Sequence, residues 1–416
     1  MVVSELPSLE KRYAKALCHL NHARWTDRLG LILGSGVSGD LGIPTWTDLI
    51  KKIDEKLCYD SSGSPESYRA EQLFQHYKRK KTDELQWSSR DQLNAAITAG
   101  WRGVVLQCLY DKFREKNGEL DLKGHKEDEL NLAAYEKKIK DHPYLSNLGR
   151  LARHAQLVVT HNFDDALEVA IDINTPADDH SYRRYHSFWR PEPFLRRGMV
   201  NIYHPNGYTP LRGSSKGSES LILTEASFAD HLANTNTEES HFLLRHLADK
   251  TCLIIGHSLA DGTLKNALRQ HANQRPAHVN YYVHWHKDGE SGLEDDQRKA
   301  IREANFETYN LITIFANSSE VSEILKMVTM EGETLKGHLA HQSVTSRYVY
   351  YIVGAVSSGK STTIRHLRDL ETIEEWPSNM PPVMNRPSVG LMKTDEADID
   401  RGLEEAIWKK TAKSKI

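Results

Sequence analysis

The sequence is poor in cysteine. Only Cys18, Cys58, Cys108 and Cys252 occur in 416 residues, and no two lie two to four residues apart. That excludes the paired-cysteine knuckles of a structural zinc site, so no zinc is expected. It also argues against a disulfide framework in a chain this long. Long apolar runs are missing as well: the longest, Tyr348 to Val356, falls far short of the roughly 20 residues that span a bilayer. The first residues carry charge every few positions with no apolar stretch, unlike a secretory signal. Neither sign of charge is in excess. Lys plus Arg is 54 and Asp plus Glu 57, a formal net charge of −3, so a chain-wide nucleic-acid or anionic-membrane binding role is not expected. Local basic runs such as Tyr77 to Lys81 read as solvated helix faces. The 21 histidines are scattered. We expect a soluble, reduced, cytoplasmic protein.

What is present is an alternation of short apolar runs with helical stretches. Leu29 to Leu33 runs into the turn Gly34-Ser35-Gly36 and then Ser38, which is how a nucleotide-binding βα unit begins. From about Lys51 to Pro143 the sequence is charged and helical, a helical insertion or lid with few strand candidates. Strand-like runs return at Gln156 to Thr160, Val200 to Tyr203, Leu221 to Thr224, Cys252 to Ile255, Asn280 to His284 and Leu311 to Phe315. Continuously apolar strands suit a parallel sheet buried on both faces. Helical stretches such as His241 to Leu247 and Leu264 to His271 lie between them. The expectation is an α/β, Rossmann-like, doubly wound parallel sheet over 1–345 with its helical insertion at about 51–143. The stretch from Arg183 to Ser220 reads as loops over the site.

A second nucleotide signature follows. Tyr348 to Val353 is β-rich and leads into Gly354-Ala355-Val356-Ser357-Ser358-Gly359-Lys360-Ser361, which fits the P-loop pattern. Backbone amides there would cradle phosphates, Lys360 would neutralise them and Ser361 would hold Mg²⁺. The remainder to Ile416 is less than half a typical P-loop domain, and no apolar strand ending in Asp follows Ser361. Residues 346–416 therefore read as a truncated, P-loop-like αβ segment, better suited to assembly than to ATP turnover.

Four motifs carry the functional reading: Gly34-Ser35-Gly36-Val37-Ser38 with Gly42-Ile43-Pro44-Thr45-Trp46; Thr160-His161-Asn162-Phe163-Asp164; Ile202-Tyr203-His204-Pro205-Asn206-Gly207-Tyr208; and Gly256-His257-Ser258-Leu259-Ala260-Asp261. In this order, from Leu29 to Phe315, they resemble the sirtuin superfamily, and specifically the sirtuin-like branch of bacterial antiphage defence proteins. The resemblance implies an NAD site. Gly34 and Gly36 would let the backbone approach a pyrophosphate, Ser35 stands where the family usually has Ala, and Ser38 would donate to phosphate or ribose. Pro44 and Trp46 belong to the segment that covers the nicotinamide end. Thr160 closes the strand before Asn162 and Asp164, which would hold the nicotinamide ribose and orient water. Gly256 and Ser258 would contact the adenosine end, with Asp261 closing that motif. Sirtuins place a catalytic His directly before Gly. Here that position is Asn206, so His204 is taken as the general base, with His186 as runner-up.

With no zinc module, the resemblance points to hydrolysis of NAD to nicotinamide and ADP-ribose. The transition state would be oxocarbenium-like, without a metal. NAD depletion in antiphage defence, held off by oligomeric assembly or by a HerA-type hexameric DNA-translocase ATPase partner, is the biological role it implies. The alternative is a non-catalytic module that senses NAD or ADP-ribose through oligomer assembly.

Overall fold

The computed structural model describes residues 9–59, 63, 66–84, 89–120, 126–175, 184–192, 194–212, 217–218, 221–223, 238–259, 261–275, 278–286 and 293–339. The proposed boundary at 345 and the P-loop-like segment with Gly354, Gly359, Lys360 and Ser361 lie outside these residues.

Seven strands form one parallel sheet in the order β5-β6-β4-β1-β7-β8-β9. They are β1 (Leu29–Leu33), β4 (Leu157–Thr160), β5 (Arg184–Phe188), β6 (Met199–Tyr203), β7 (Thr251–Ile255), β8 (Asn280–Trp285) and β9 (Leu311–Ala316). β1, β4, β7 and β9 are buried at every position, as continuous apolar runs demand in a sheet covered on both faces. Alternate residues feed two cores. Leu31, Leu33, Val158, Leu253 and Ile255 point into one. Ile32, Val159, Cys252 and Ile254 point into the other.

The larger core is covered by α1 (Leu9–Trp25), α7 (Pro143–Ala152), α8 (Ala166–Ile173) and α12 (Ser318–Thr329). The smaller one packs Leu243 and Leu247 of α9 (Glu238–Asp249) and Leu264 and Leu268 of α10 (Gly262–Gln274). Helix α11 (Asp295–Tyr309) precedes β9, and α13 (Gly332–Leu339) ends the described chain. No described helix is long and apolar enough to cross a membrane.

Between β1 and α7 lie α2 (Gly36–Gly39), α3 (Trp46–Leu57), α4 (Glu66–Glu84), α5 (Arg90–Leu109), a 3₁₀ turn at Asp111–Phe113, and α6 (Leu132–Asp141). This region is helical as expected, with one addition: an antiparallel pair, β2 (Arg114–Leu120) and β3 (Lys126–Leu130). Their sequences, REKNGEL and KEDEL, carry no apolar alternation, so periodicity could not announce them. The insertion is no separate body: Ile53, Leu73, Ile97 and Val105 join the larger core. Two other expectations differ. Leu221 to Leu223 forms no strand, its backbone instead meeting Asn206 (Ile222 N–H to Asn206 O, 2.8 Å). The loop expected from Arg183 contains edge strand β5, whose sequence RYHSF is too polar to read as a buried strand.

From β1 the chain moves to β4, β5 and β6 on one side, then crosses to β7, β8 and β9 on the other. In such sheets ligands sit where the direction reverses, outside the carboxyl ends of the strands. Here that point is the ends of β1, β4 and β7, where motifs one, two and four begin.

Candidate functional site

At the end of β1 the glycine turn is locked to β7. Gly34 N–H donates to Ile255 O and Gly36 N–H to Gly256 O, both at 2.9 Å. Neither glycine is in the left-handed region, so their smallness serves close approach instead. A Cβ on Gly34 would lie 2.5 Å from the Gly256 carbonyl oxygen, and one on Gly36 2.9 Å from Gly256 Cα. Gly256 itself has φ +69°, and a Cβ there would lie 2.6 Å from Val37 N. The Gly34 and Gly36 amides thus bind β7, while Ser35 is exposed at the apex. Because Val37 N and Gly34 O, two of the three atoms it would meet, are backbone, Gly256→Ala combines left-handed strain with overpacking and should cost about 3 kcal/mol. Denaturant unfolding tests this, and a loss below about 1 kcal/mol would refute the packing argument.

One turn later Ser38 meets motif two. Its Oγ donates to Asp164 Oδ1 at 3.0 Å and accepts from Asn162 Nδ2 at 3.2 Å. Thr160 ends β4 and accepts from the Asn162 amide through Oγ1 at 3.3 Å. All four side chains are buried. With Leu145 and Leu148 they line a cavity of about 10 Å³, space for about one water. Asn162 Oδ1 is buried without a hydrogen-bond partner among the described residues, a costly condition unless a ligand or water uses it.

Burial pushes the Asp164 carboxyl up to about 6. The Ala166 amide and Ser38 oppose that shift, while Asp165 and Glu168 add to it. Its folded pKa therefore exceeds the unfolded one, near 3.9. The contribution is fully present below about pH 4 and is lost as pH rises to about 6, on the order of 3 kcal/mol in all. The difference in stability between wild type and Asp164→Asn, followed by urea unfolding from pH 4 to 7, should change by about that amount over this window. A flat difference would show that Asp164 titrates normally.

His204, just beyond β6, is completely buried. Its Nδ1 lies 3.0 Å from the Asn162 carbonyl and its Nε2 2.8 Å from Glu168 Oε1. A carbonyl can only accept, so Nδ1 donates, and the pair shares a proton at Nε2. Glu168 Oε1 also accepts from Ser187 Oγ at 2.6 Å. Asn206 donates from Nδ2 to the His161 carbonyl at 3.2 Å, and Gly207 follows with φ +106°.

His186 sits mid-strand in β5, 2.9 Å from Glu192 Oε1, and no described hydrogen bond joins it to the Asn162 cluster. Pro44 is half-buried after Gly42, whose φ is +84°. Thr45 then caps α3, whose first residue Trp46 donates from Nε1 to Leu223 O at 3.3 Å. On the β7 side, Ser258 is exposed and Asp261 caps α10, Oδ1 accepting from the Thr263 and Leu264 amides. Burial draws the His257 pKa down to about 3, with His161 adding to the fall.

Sequence reading passed over Glu168, Asp165 and Tyr110. The Tyr110 hydroxyl, from the end of α5, lies 3.0 Å from both Asp165 Oδ1 and Thr209 O, so the insertion helps build the site. For Glu168 a signal existed: an acid inside the apolar helix ALEVAIDI, where a buried charge requires a partner.

Residues 156–314 match the family model of the SIR2-like domain. This stretch, less than half of the chain, is similar to the SIR2-like domain family. The match runs from β4 into β9 and takes in the Asn162, Asn206-Gly207 and Gly256 motifs, while the glycine turn after β1 precedes it. No curated protein matches the chain. A SIR2-like domain points to NAD-related activity.

Proposed function

We propose that this SIR2-like domain hydrolyses NAD at the nicotinamide–ribose bond. The observation that carries the reading is the buried Ser38–Asn162–Asp164 cluster at the switch point, with Asn162 Oδ1 left without a partner. In the reaction the C–N bond to nicotinamide breaks with its electron pair leaving on nicotinamide. Water then adds to the ribosyl cation and loses a proton, giving ADP-ribose. Asn162 orients the ribose and the water, and the Asp164 carboxylate stabilises the developing positive charge and takes the proton. His204 is sealed from solvent with both nitrogens engaged. That suits it to positioning, since it grips the Asn162 backbone from behind. No residue of the cluster needs a metal for these steps.

Within the same proposal, NAD depletion serves antiphage defence, and oligomeric assembly or a HerA-type ATPase partner switches it on. The test is nicotinamide release from NAD by the purified chain, with and without extract of phage-infected cells. Nicotinamide and ADP-ribose in equal amounts are expected. No release under either condition overturns the hydrolase. One observation favours a second reading: Asn206 occupies the family's His position, and an amide cannot act as a base. NAD bound but intact would establish a sensor of NAD or ADP-ribose.

A further inference from the structure

Two histidines and one acid at the switch point are used by none of the steps above. His161 directly follows β4, and its amide donates to Leu33 O at 2.9 Å, tying it to the end of β1. His257 follows β7 after Gly256, and its carbonyl accepts from the Tyr282 hydroxyl at 2.8 Å. Leu259, with φ +54°, turns the chain so that Asp261 comes back to the same place. The two imidazole rings stand nearly perpendicular, at 86°, with centroids 5.0 Å apart. One donor atom from each of His161, His257 and Asp261 lies within 4.8 Å of the other two.

We propose that His161, His257 and Asp261 bind one divalent transition-metal ion of the zinc type. Imidazole nitrogen with a single carboxylate is the donor set such ions select. In a tetrahedral site with bonds of about 2.0–2.1 Å the donors sit roughly 3.3 Å apart, a contraction that side-chain torsions supply. His257 Nδ1 is buried with no hydrogen-bond partner among the described residues, a polar atom that coordination would satisfy. Asp261 is held from behind: Oδ1 accepts from Thr263 N–H at 2.7 Å and Leu264 N–H at 3.0 Å. That is the orienting contact that metal-bound carboxylates carry, and no described hydrogen bond occupies Oδ2. Three protein ligands leave the ion at least one open position, for water or for an anionic oxygen of whatever the crevice holds. The proposal rests on these three side chains and does not depend on NAD turnover.

The full chain, stripped with chelator and dialysed, is titrated calorimetrically with Zn²⁺, and separately with Co²⁺ followed by its visible absorption. One equivalent is expected, with a tetrahedral or five-coordinate Co²⁺ spectrum. His257→Ala and Asp261→Asn should each weaken binding at least 10-fold. Asn caps helices as well as Asp, so Asp261→Asn should keep the metal-free melting temperature, separating loss of a ligand from loss of fold. Absence of saturable binding of either ion overturns the site. So does wild-type affinity in Asp261→Asn, which would place the ion on other histidines. Both readouts are taken without NAD, so failure here leaves nicotinamide release standing, and the reverse holds too.

Discussion

Asn162→Ala should lower the rate of nicotinamide release by about 10²- to 10³-fold, the usual consequence of removing one preorganised polar group from a reacting centre. The substitution removes an amide whose Nδ2 donates to Ser38 and whose Oδ1 is buried without a described partner. The structural loss is therefore small: one neutral hydrogen bond, about 1 kcal/mol, partly offset by deleting a buried unpaired oxygen. The backbone carbonyl that accepts from His204 stays in place. A large fall in turnover with a nearly unchanged melting temperature is the expected signature. Turnover within threefold of wild type would remove Asn162 from the chemistry. Where turnover is measurable, its rate should rise with pH through about 6 as Asp164 ionises, and Asp164→Asn should abolish that limb.

The second large effect is on stability. Glu168→Ala should destabilise the protein by about 3–5 kcal/mol, because it leaves one member of a buried, proton-sharing pair without its partner. Glu168 and His204 are 1% and 0% exposed and lie 2.8 Å apart. Glu168 Oε1 also holds Ser187, so the change frees groups on β5 and just beyond β6. His204→Ala should cost a similar amount, and the double variant much less than the two added together, since the pair is lost once. Urea unfolding of the four proteins closes this cycle. Additive losses would show that the two residues act independently. The site is then built on a network whose stability and geometry are shared, and Asn162 is held by the same histidine that Glu168 orients.

Much of this was legible along the chain. Short apolar runs ending at Leu33, Thr160, Tyr203 and Ile255, each followed by a polar motif, announced a parallel sheet with its chemistry at the carboxyl ends. The runs become strands because pairing satisfies the polar backbone groups that their apolar side chains carry into the core, and they end where glycine or polar residues begin. Periodicity failed at β2, β3 and β5, where polar sequences pair. It also failed at Leu221 to Leu223, where an apolar run meets Asn206 instead of a strand.

Local sequence thus determined the elements and the motifs, because dihedral preference and apolar spacing act within a few residues. Contacts between distant residues were decided only by tertiary structure. The turn at Gly34 and Gly36, which reads as a phosphate cradle, spends its amides on β7 because the sheet order brings Gly256 beside it. His204, legible as a base, is enclosed because α8 lays Glu168 against it. His161, His257 and Asp261 belong to two motifs far apart in sequence, and they meet only because β4 and β7 flank β1. Which side chains share a proton or could share an ion depends on distances of 2 to 5 Å between strands, and no spacing along the chain encodes those.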